Sequence, residues 1–150
     1  MSTIYLKSSD DQPFSMEEAA VKLSLKLKRI IEVKDRVNYF IRIDNVKGII
    51  LTKVIDYCHN HIISKDDTEV LKLFDQEFVR NVDEVSMMYL MDAAKNLEIE
   101  SLYELCYPAL IDKLKAKKLH EIEEMFYKED LDQVAGICLE TVLSSLDLRK

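Results

Sequence analysis

"MDAAKNLEIESLYELC", residues 91–106, reads as one helix that stops and a second helix that starts almost at once. Before the stop, apolar residues recur at helical spacing at Met87, Met88, Met91 and Ala94. This apolar stripe ends at Lys95 and Asn96, a charged residue followed by a polar one. We therefore predict that the chain reverses direction here, in a short buried connection between the two helices that we call the corner.

The second helix of this pair has its own start signal. Ser101 and Glu104 match a capping box, in which the serine oxygen accepts from a free backbone N–H and the glutamate reaches back. Between the two helices, Leu97 and Ile99 are placed to fill the corner from inside.

The N-terminal part of the chain predicts a strand, a helix and a further strand. "TIYLKS", residues 3–8, alternates apolar and polar residues as a half-buried strand does. Ser15 and Glu18 match another capping box, which predicts that a long amphipathic helix begins near Ser15. "VNYFIRI", residues 37–43, alternates again and is rich in β-branched and aromatic residues, which favours a strand.

Helices dominate the rest of the chain. Asp44 or Asn45 is placed to cap a core helix, "SKDDTE" predicts a loop, and "DQEFV" predicts a short helix. Asp130 with Gln133 predicts the cap of a final helix. The two amphipathic helices after Leu119 carry apolar faces larger than they can cover for each other, so a partner helix could pack against them.

Length, composition and charge limit the classes of protein to consider. The 150 residues suffice for one domain with a short appendage, and only two Gly and two Pro favour helices joined by short turns. The net charge of −7 argues against nucleic-acid binding, and the basic run at residues 113–118 reads as a solvated helix face. The sequence has neither an export signal nor an apolar run long enough to span a bilayer, so we expect a soluble intracellular protein with no membrane contact.

The residue types that carry chemistry form no recognisable site. Cys58, Cys106 and Cys138 are widely spaced in apolar surroundings, which predicts reduced thiols. "CHNH", residues 58–61, is the only cluster of metal-ligand types, and a zinc site needs four ligands. Residues 87–91 are Met-rich, which fits a core helix better than an adaptable binding groove. We expect no catalytic residue, no metal and no cofactor, and therefore not an enzyme.

Five segments along nearly the whole chain resemble the motifs of one protein family. "IYLKSSDDQPF" is similar to that family's opening strand and turn, and "DNVKGIILTKVIDYCHNH" to its "NV…ILKKVI.WC..H" helix. "FDQEFV" resembles "WDQEF", "LMDAAKNLEIESLYEL" resembles "L..AANYLDIK.LL", and "KAKKLHEIEEMF" resembles "KGKTPEEIR..F". In order and spacing the segments resemble the Skp family, the adaptors of cullin–RING ubiquitin ligases that join an F-box protein to a cullin.

The resemblance implies a mostly helical α+β protein. Residues 1–118 would form a BTB/POZ domain, a three-stranded sheet against a helical cluster, and residues 119–150 would form a C-terminal extension that binds the F-box. It also implies an adaptor subunit of an SCF-type E3 ubiquitin ligase in protein degradation, located in the cytoplasm and nucleus. Carried over by position, the F-box-binding residues are Leu105, Leu110, Ile111, Leu114, Ile122, Met125, Phe126 and Leu131.

One departure from the family lies at the corner between the two helices. The family has Asn-Tyr where this chain has Lys95 and Asn96, and the resemblance places cullin binding around these positions. A charge to desolvate and the loss of an aromatic anchor should weaken a typical cullin contact. The alternative is a BTB-type module that forms a homodimer, or that holds F-box proteins without a typical cullin.

Overall fold

The computed structural model describes residues 3–33, 40–129, 131 and 139–146. Within these ranges the chain is mostly helical and has one small sheet, which confirms the predicted fold class. The elements in chain order are β1 (Thr3–Lys7), β2 (Pro13–Glu17), α1 (Glu18–Val21), α2 (Leu25–Val33), β3 (Ile41–Arg42), α3 (Gly48–Ile63), α4 (Thr68–Arg80), α5 (Glu84–Leu97), α6 (Glu100–Leu114), α7 (Leu119–Glu129) and α8 (Leu139–Ser145).

The sheet has three strands in the order β2–β1–β3. Strand β1 pairs antiparallel with β2 and parallel with β3, so it is the central strand. On its inner face Ile4 pairs with Met16 and Leu6 pairs with Ile41, and all four side chains are buried. The strand predicted at residues 3–8 is thereby confirmed. Of the strand predicted at residues 37–43, the Ile41–Arg42 part is confirmed, and residues 37–39 lie outside the described ranges.

The helix predicted to begin near Ser15 begins later than expected. Strand β2 occupies this position, and α1 starts at Glu18 without a side-chain cap. The prediction fails because Met16 packs on the inner face of the sheet, where pairing with β1 satisfies the backbone better than a helix start would. The long helix expected here is also divided into α1 and α2.

The cap predicted for the core helix α3 is also wrong. Helix α3 begins at Gly48, beyond Asp44 and Asn45, and no side chain at its own N-cap accepts a hydrogen bond. Instead the Gly48 N–H donates to Oδ1 of Asp10 over 2.8 Å, from the turn between β1 and β2. This turn lies so close that a Cβ at Gly48 would be 2.1 Å from Oε1 of Gln12.

Two further predictions of helix starts need correction. Helix α4 is longer than the short helix expected around "DQEFV", because Asp67 caps it by accepting from the Val70 N–H over 3.1 Å. Ser101 does not cap α6, which begins at Glu100 without a side-chain cap. The Ser101 hydroxyl lies 2.8 Å from the hydroxyl of Tyr57 and so ties α6 to α3.

One apolar cluster joins the sheet, the central helices and the C-terminal helices. Helix α5 is at its centre, and its most deeply buried side chains are Met87, Met88, Leu90 and Met91. The Met-rich stretch therefore belongs to the core. Helices α7 and α8 contribute Ile122, Phe126 and Val142 to the same cluster. The division of the chain at residue 118 stays a prediction, and the predicted cap at Asp130 and Gln133 lies outside the described residues.

We expect Asp10→Ala to destabilise the protein and Asp44→Ala, at the site of the cap that the sequence favoured, to leave stability nearly unchanged. Hydrogen bonds from the Ser8 hydroxyl and then from the Gly48 N–H lower the pKa of Asp10 below its ordinary value. A lowered pKa in the folded state means that Asp10 stabilises the protein above the pKa it has in the unfolded chain. Urea unfolding should show the Asp10→Ala deficit at neutral pH.

This deficit should shrink as pH falls through the acid range below the ordinary pKa of 3.8, because the Asp10 carboxylate becomes protonated in both states. Equal stability of the Asp10→Ala variant and the natural chain at pH 7 would contradict this account of how α3 begins.

Candidate protein-interaction surfaces

The corner between α5 and α6 consists of only two residues, Glu98 and Ile99. Glu98 adopts a left-handed conformation with φ of 58°, which ends α5, and the Ile99 N–H donates back to the Ala94 carbonyl over 2.8 Å. Leu97 and Ile99 are buried. The prediction that these two side chains fill the corner from inside is therefore confirmed.

Ser24, which lies far from this corner in the sequence and just before α2, forms hydrogen bonds that hold the corner in place. Its hydroxyl donates to the Leu97 carbonyl and accepts from the Leu27 N–H at 3.1 Å, and Ser24 itself is buried. The oxygen of Ser24 thus caps the start of α2, while its proton satisfies a carbonyl at the end of α5. Alongside it, the Arg29 guanidinium forms an ion pair with Glu98.

Lys95 and Asn96, the residues predicted to bind a cullin, lie in two different depressions. Lys95 is exposed and lines a pocket of about 370 Å³ together with Leu25 and Tyr103. Asn96 is half-buried and lines a larger groove on another side of α5. The structure therefore does not bring both residues into one hollow, although they remain neighbours at the end of the helix.

The larger groove has a volume of about 750 Å³ and lies between the start of α3 and one side of α5. Two large apolar side chains in it are open to solvent, with Ile49 72 % exposed and Tyr89 40 % exposed. The other lining residues are Ser9, Asn45, Val46, Lys47, Ile50, Val85, Ser86, Asp92 and Asn96. Exposed apolar residues in a concave surface with a polar rim are typical of a protein-interaction site.

Sequence reasoning missed Ile49 and Tyr89 as surface residues. A signal for Ile49 was present in the apolar run Ile49, Ile50 and Leu51, because a helix with one buried side cannot bury three consecutive residues. In the structure Ile50 and Leu51 are buried and Ile49 is the residue left outside. Tyr89 lies within the Met-rich stretch, where its sequence neighbours give no comparable signal.

The eight residues predicted to bind an F-box belong to α6, to α7 and to position 131. Three of them, Leu105, Ile111 and Met125, are half-buried. The other five are at most 1 % exposed, namely Leu110, Leu114, Ile122, Phe126 and Leu131. The structure thus gathers them into one apolar cluster, and their role towards an F-box stays a prediction.

Three side chains that could carry chemistry, Cys58, Cys106 and His61, are buried or hydrogen-bonded within the fold. Burial raises the pKa of the Cys58 and Cys106 thiols to about 12, so neither is a ready nucleophile. His61, from the "CHNH" stretch, lies 2.7 Å from Oδ1 of Asp75 and its ring packs on Tyr57 at 4.1 Å between centroids. In the part of the chain that the structure describes, no three His, Cys, Asp or Glu residues are grouped to hold a metal ion. No helix there is long and apolar enough to cross a membrane.

Comparison with known proteins shows which family this sequence resembles. A family model described as "Skp1 family, tetramerisation domain" matches residues 2–63. SKP1-like protein 14 of Arabidopsis thaliana is 34% identical over 127 residues, which cover 85% of this chain and 84% of that protein. SKP1-like protein 17 of the same plant is 36% identical over 130 residues, with 85% and 84% covered. SKP1-like protein 3 is 36% identical over 135 residues, with 82% of each chain covered.

We expect Ser24→Ala to lower the free energy of unfolding by roughly 2 kcal/mol, because it removes the cap of α2 and leaves the buried Leu97 carbonyl without its donor. Ser15→Ala is the matched control, since Ser15 is exposed on β2 and should change stability by less than about 0.5 kcal/mol. Chemical unfolding of both variants measures the difference. Equal stabilities of the two variants would show that the hydrogen bonds of Ser24 do not stabilise the corner.

Proposed function

This chain belongs to the Skp1 family, and we propose that it is the adaptor subunit of an SCF-type E3 ubiquitin ligase, bridging F-box substrate receptors to a cullin. Members of the Skp1 family are non-catalytic adaptors, and we propose the same of this chain. The observation that carries the proposal is the match of 34–36% identity over more than four fifths of both chains. We further propose that it works in the cytoplasm and nucleus.

The F-box side of the proposed adaptor is the apolar cluster of α6 and α7. The half-buried residues Leu105, Ile111 and Met125 supply apolar atoms that a partner helix can reach. Tyr127, 73 % exposed, and Leu119, 42 % exposed, extend apolar surface along α7. These features support recognition of an amphipathic helix, which places apolar side chains of one face into a groove between helices.

The cullin side of the proposed adaptor is the groove that contains Asn96. Ile49 and Tyr89 give it exposed apolar atoms, and an apolar anchor in a concave site contributes most of the affinity in many interfaces. Lys95 is exposed next to this groove, so a cullin covering the end of α5 must desolvate its ammonium group or supply an acid. We propose that binding to a typical cullin is weaker than is usual in the family.

Lys95 also favours a second candidate function, a module that holds F-box proteins without a typical cullin or that self-associates. Affinity purification of the tagged chain from its native cells separates the two candidates. Recovery of F-box proteins together with a cullin supports the adaptor, and F-box proteins alone support the second function. Recovery of neither would contradict the adaptor and the module that holds F-box proteins, and would leave only self-association.

We expect Met125→Asp to weaken binding of a recombinant F-box fragment by about tenfold or more, because the new carboxylate would lose its water in an apolar interface. Lys128→Asp is the matched control, on the same helix, exposed and outside the proposed F-box surface, and should have a smaller effect. Calorimetric titration measures the affinities, and circular dichroism checks that α7 persists. Unchanged binding by folded Met125→Asp would place the F-box site elsewhere.

We expect the double substitution Lys95→Asn with Asn96→Tyr to strengthen binding of an N-terminal cullin fragment by about tenfold, since it removes a charge and restores an aromatic anchor. Affinity for the F-box fragment should stay the same, because α7 and the half-buried residues of α6 are not altered. Calorimetry with each fragment separately gives the comparison. A double variant that binds the cullin fragment no better than the natural chain would show that these two positions do not set cullin affinity.

A further inference from the structure

One side of helix α4 packs on α3 and fixes how α4 is rotated about its own axis. The ring of His61 on α3 lies 6.0 Å from the ring of Phe74, which in turn lies 5.6 Å from the ring of the buried Phe78. The ring of Tyr57 on α3 also contacts Phe78, and Nε2 of His61 lies 2.7 Å from Oδ1 of Asp75. The opposite side of α4 therefore faces solvent.

Four side chains form a line along this outer side of α4. Positions 69, 73, 76 and 80 follow the i, i+4, i+7, i+11 spacing that places residues on one face of a helix, and all four are exposed. We call these residues the α4 stripe, and they are Glu69, Leu73, Gln76 and Arg80. Leu73 is 62 % exposed, and Val70 beside the stripe is 44 % exposed. Helix α4 thus leaves apolar surface in water.

The charges of the α4 stripe are arranged symmetrically about its middle. Leu73 and Gln76 lie at the middle, and Glu69 is as far from it on one side as Arg80 is on the other. The two charged residues are 11 positions apart, which corresponds to roughly 16 Å along the helix. When two copies of α4 pair antiparallel, each Glu69 faces Arg80 of the second copy, and the Leu73 side chains meet next to the twofold axis. A parallel pair would instead bring like charges together.

The two charged groups are accessible for such a contact. Glu69 is exposed, and the side chain of Arg80 remains 68 % exposed although its Nη1 donates to Oε1 of Glu77 over 2.6 Å. A guanidinium has five N–H donors, so Arg80 can bind a second carboxylate as well. The α4 stripe carries no net charge, whereas the whole chain carries −7. A second copy that approaches along the stripe therefore meets complementary charges and not the excess of negative charge.

We propose that α4 is a self-association surface, where two copies of this chain pair antiparallel through Leu73 and through ion pairs between Glu69 and Arg80 at both ends. The pairing does not rest on the proposed adaptor function, because the α4 stripe shares no residue with the groove beside α5 or with the predicted F-box residues. One helix from each copy makes a small interface, so the dissociation constant should be on the order of 100 µM. In dilute solution the chain is then a single copy.

Analytical ultracentrifugation of the full chain over a range of concentrations measures this dissociation constant. Leu73→Asp should raise the dissociation constant about tenfold or more, because the new carboxylates lie beside the twofold axis. Val33→Asp is the matched control, since Val33 is an apolar residue of α2 that is 82 % exposed, and should change nothing. A natural chain that stays monomeric at about 1 mM would overturn the proposal. Equal association of the two variants would also overturn it.

Charge reversal tests the antiparallel pairing itself. Glu69→Arg and Arg80→Glu should each raise the dissociation constant about fivefold, because each places like charges opposite one another at both ends of the stripe. An equimolar mixture of the two variants should associate about as well as the natural chain, since opposite charges then face each other at both ends. Circular dichroism checks that both variants are folded. A mixture that associates no better than either variant alone would overturn the proposal and leave the proposed adaptor function untouched.

Discussion

The turn from α5 to α6 is the constraint on which the other features of this protein depend. Only Glu98 and Ile99 connect α5 and α6, and the last carbonyls of α5 accept hydrogen bonds both from this short connection and from outside it. The buried hydroxyl of Ser24 supplies one of them to the Leu97 carbonyl. The same serine caps α2, so one side chain fixes two helix ends relative to each other, the end of α5 and the start of α2.

This corner also explains how one small chain presents two separate surfaces. Helix α5 offers Tyr89 and Asn96 to the groove beside α3, and α6 offers Leu105 and Ile111 to the C-terminal apolar cluster. Because the two helices pack closely along their length, the groove and the cluster are held in a fixed relation. An adaptor needs this arrangement, since both partners must bind at once without competing for the same atoms.

The features that were predictable from the sequence are those set by local periodicity. The alternation of residues 3–8 and the helical stripe of α5 locate strand β1 and the central core helix, and the resemblance to the Skp family supplied the third strand of the sheet. The features that sequence reasoning missed depend on contacts between distant residues. Asp10 caps α3 across 38 positions, and Ser24 reaches Leu97 across 73 positions, so neither leaves a local pattern. Likewise, the sequence pattern of an apolar helix face is the same whether a partner protein or another helix of the chain buries that face.

Simultaneous binding tests the adaptor account most directly. The purified chain can be mixed with an F-box fragment and an N-terminal cullin fragment at concentrations above both dissociation constants, and the species can be weighed by native mass spectrometry. The account predicts a complex with one copy of each component, because the groove beside α5 and the cluster of α6 and α7 are separate surfaces. Two binary complexes that never combine would contradict it, since they would show that the partners compete for one surface.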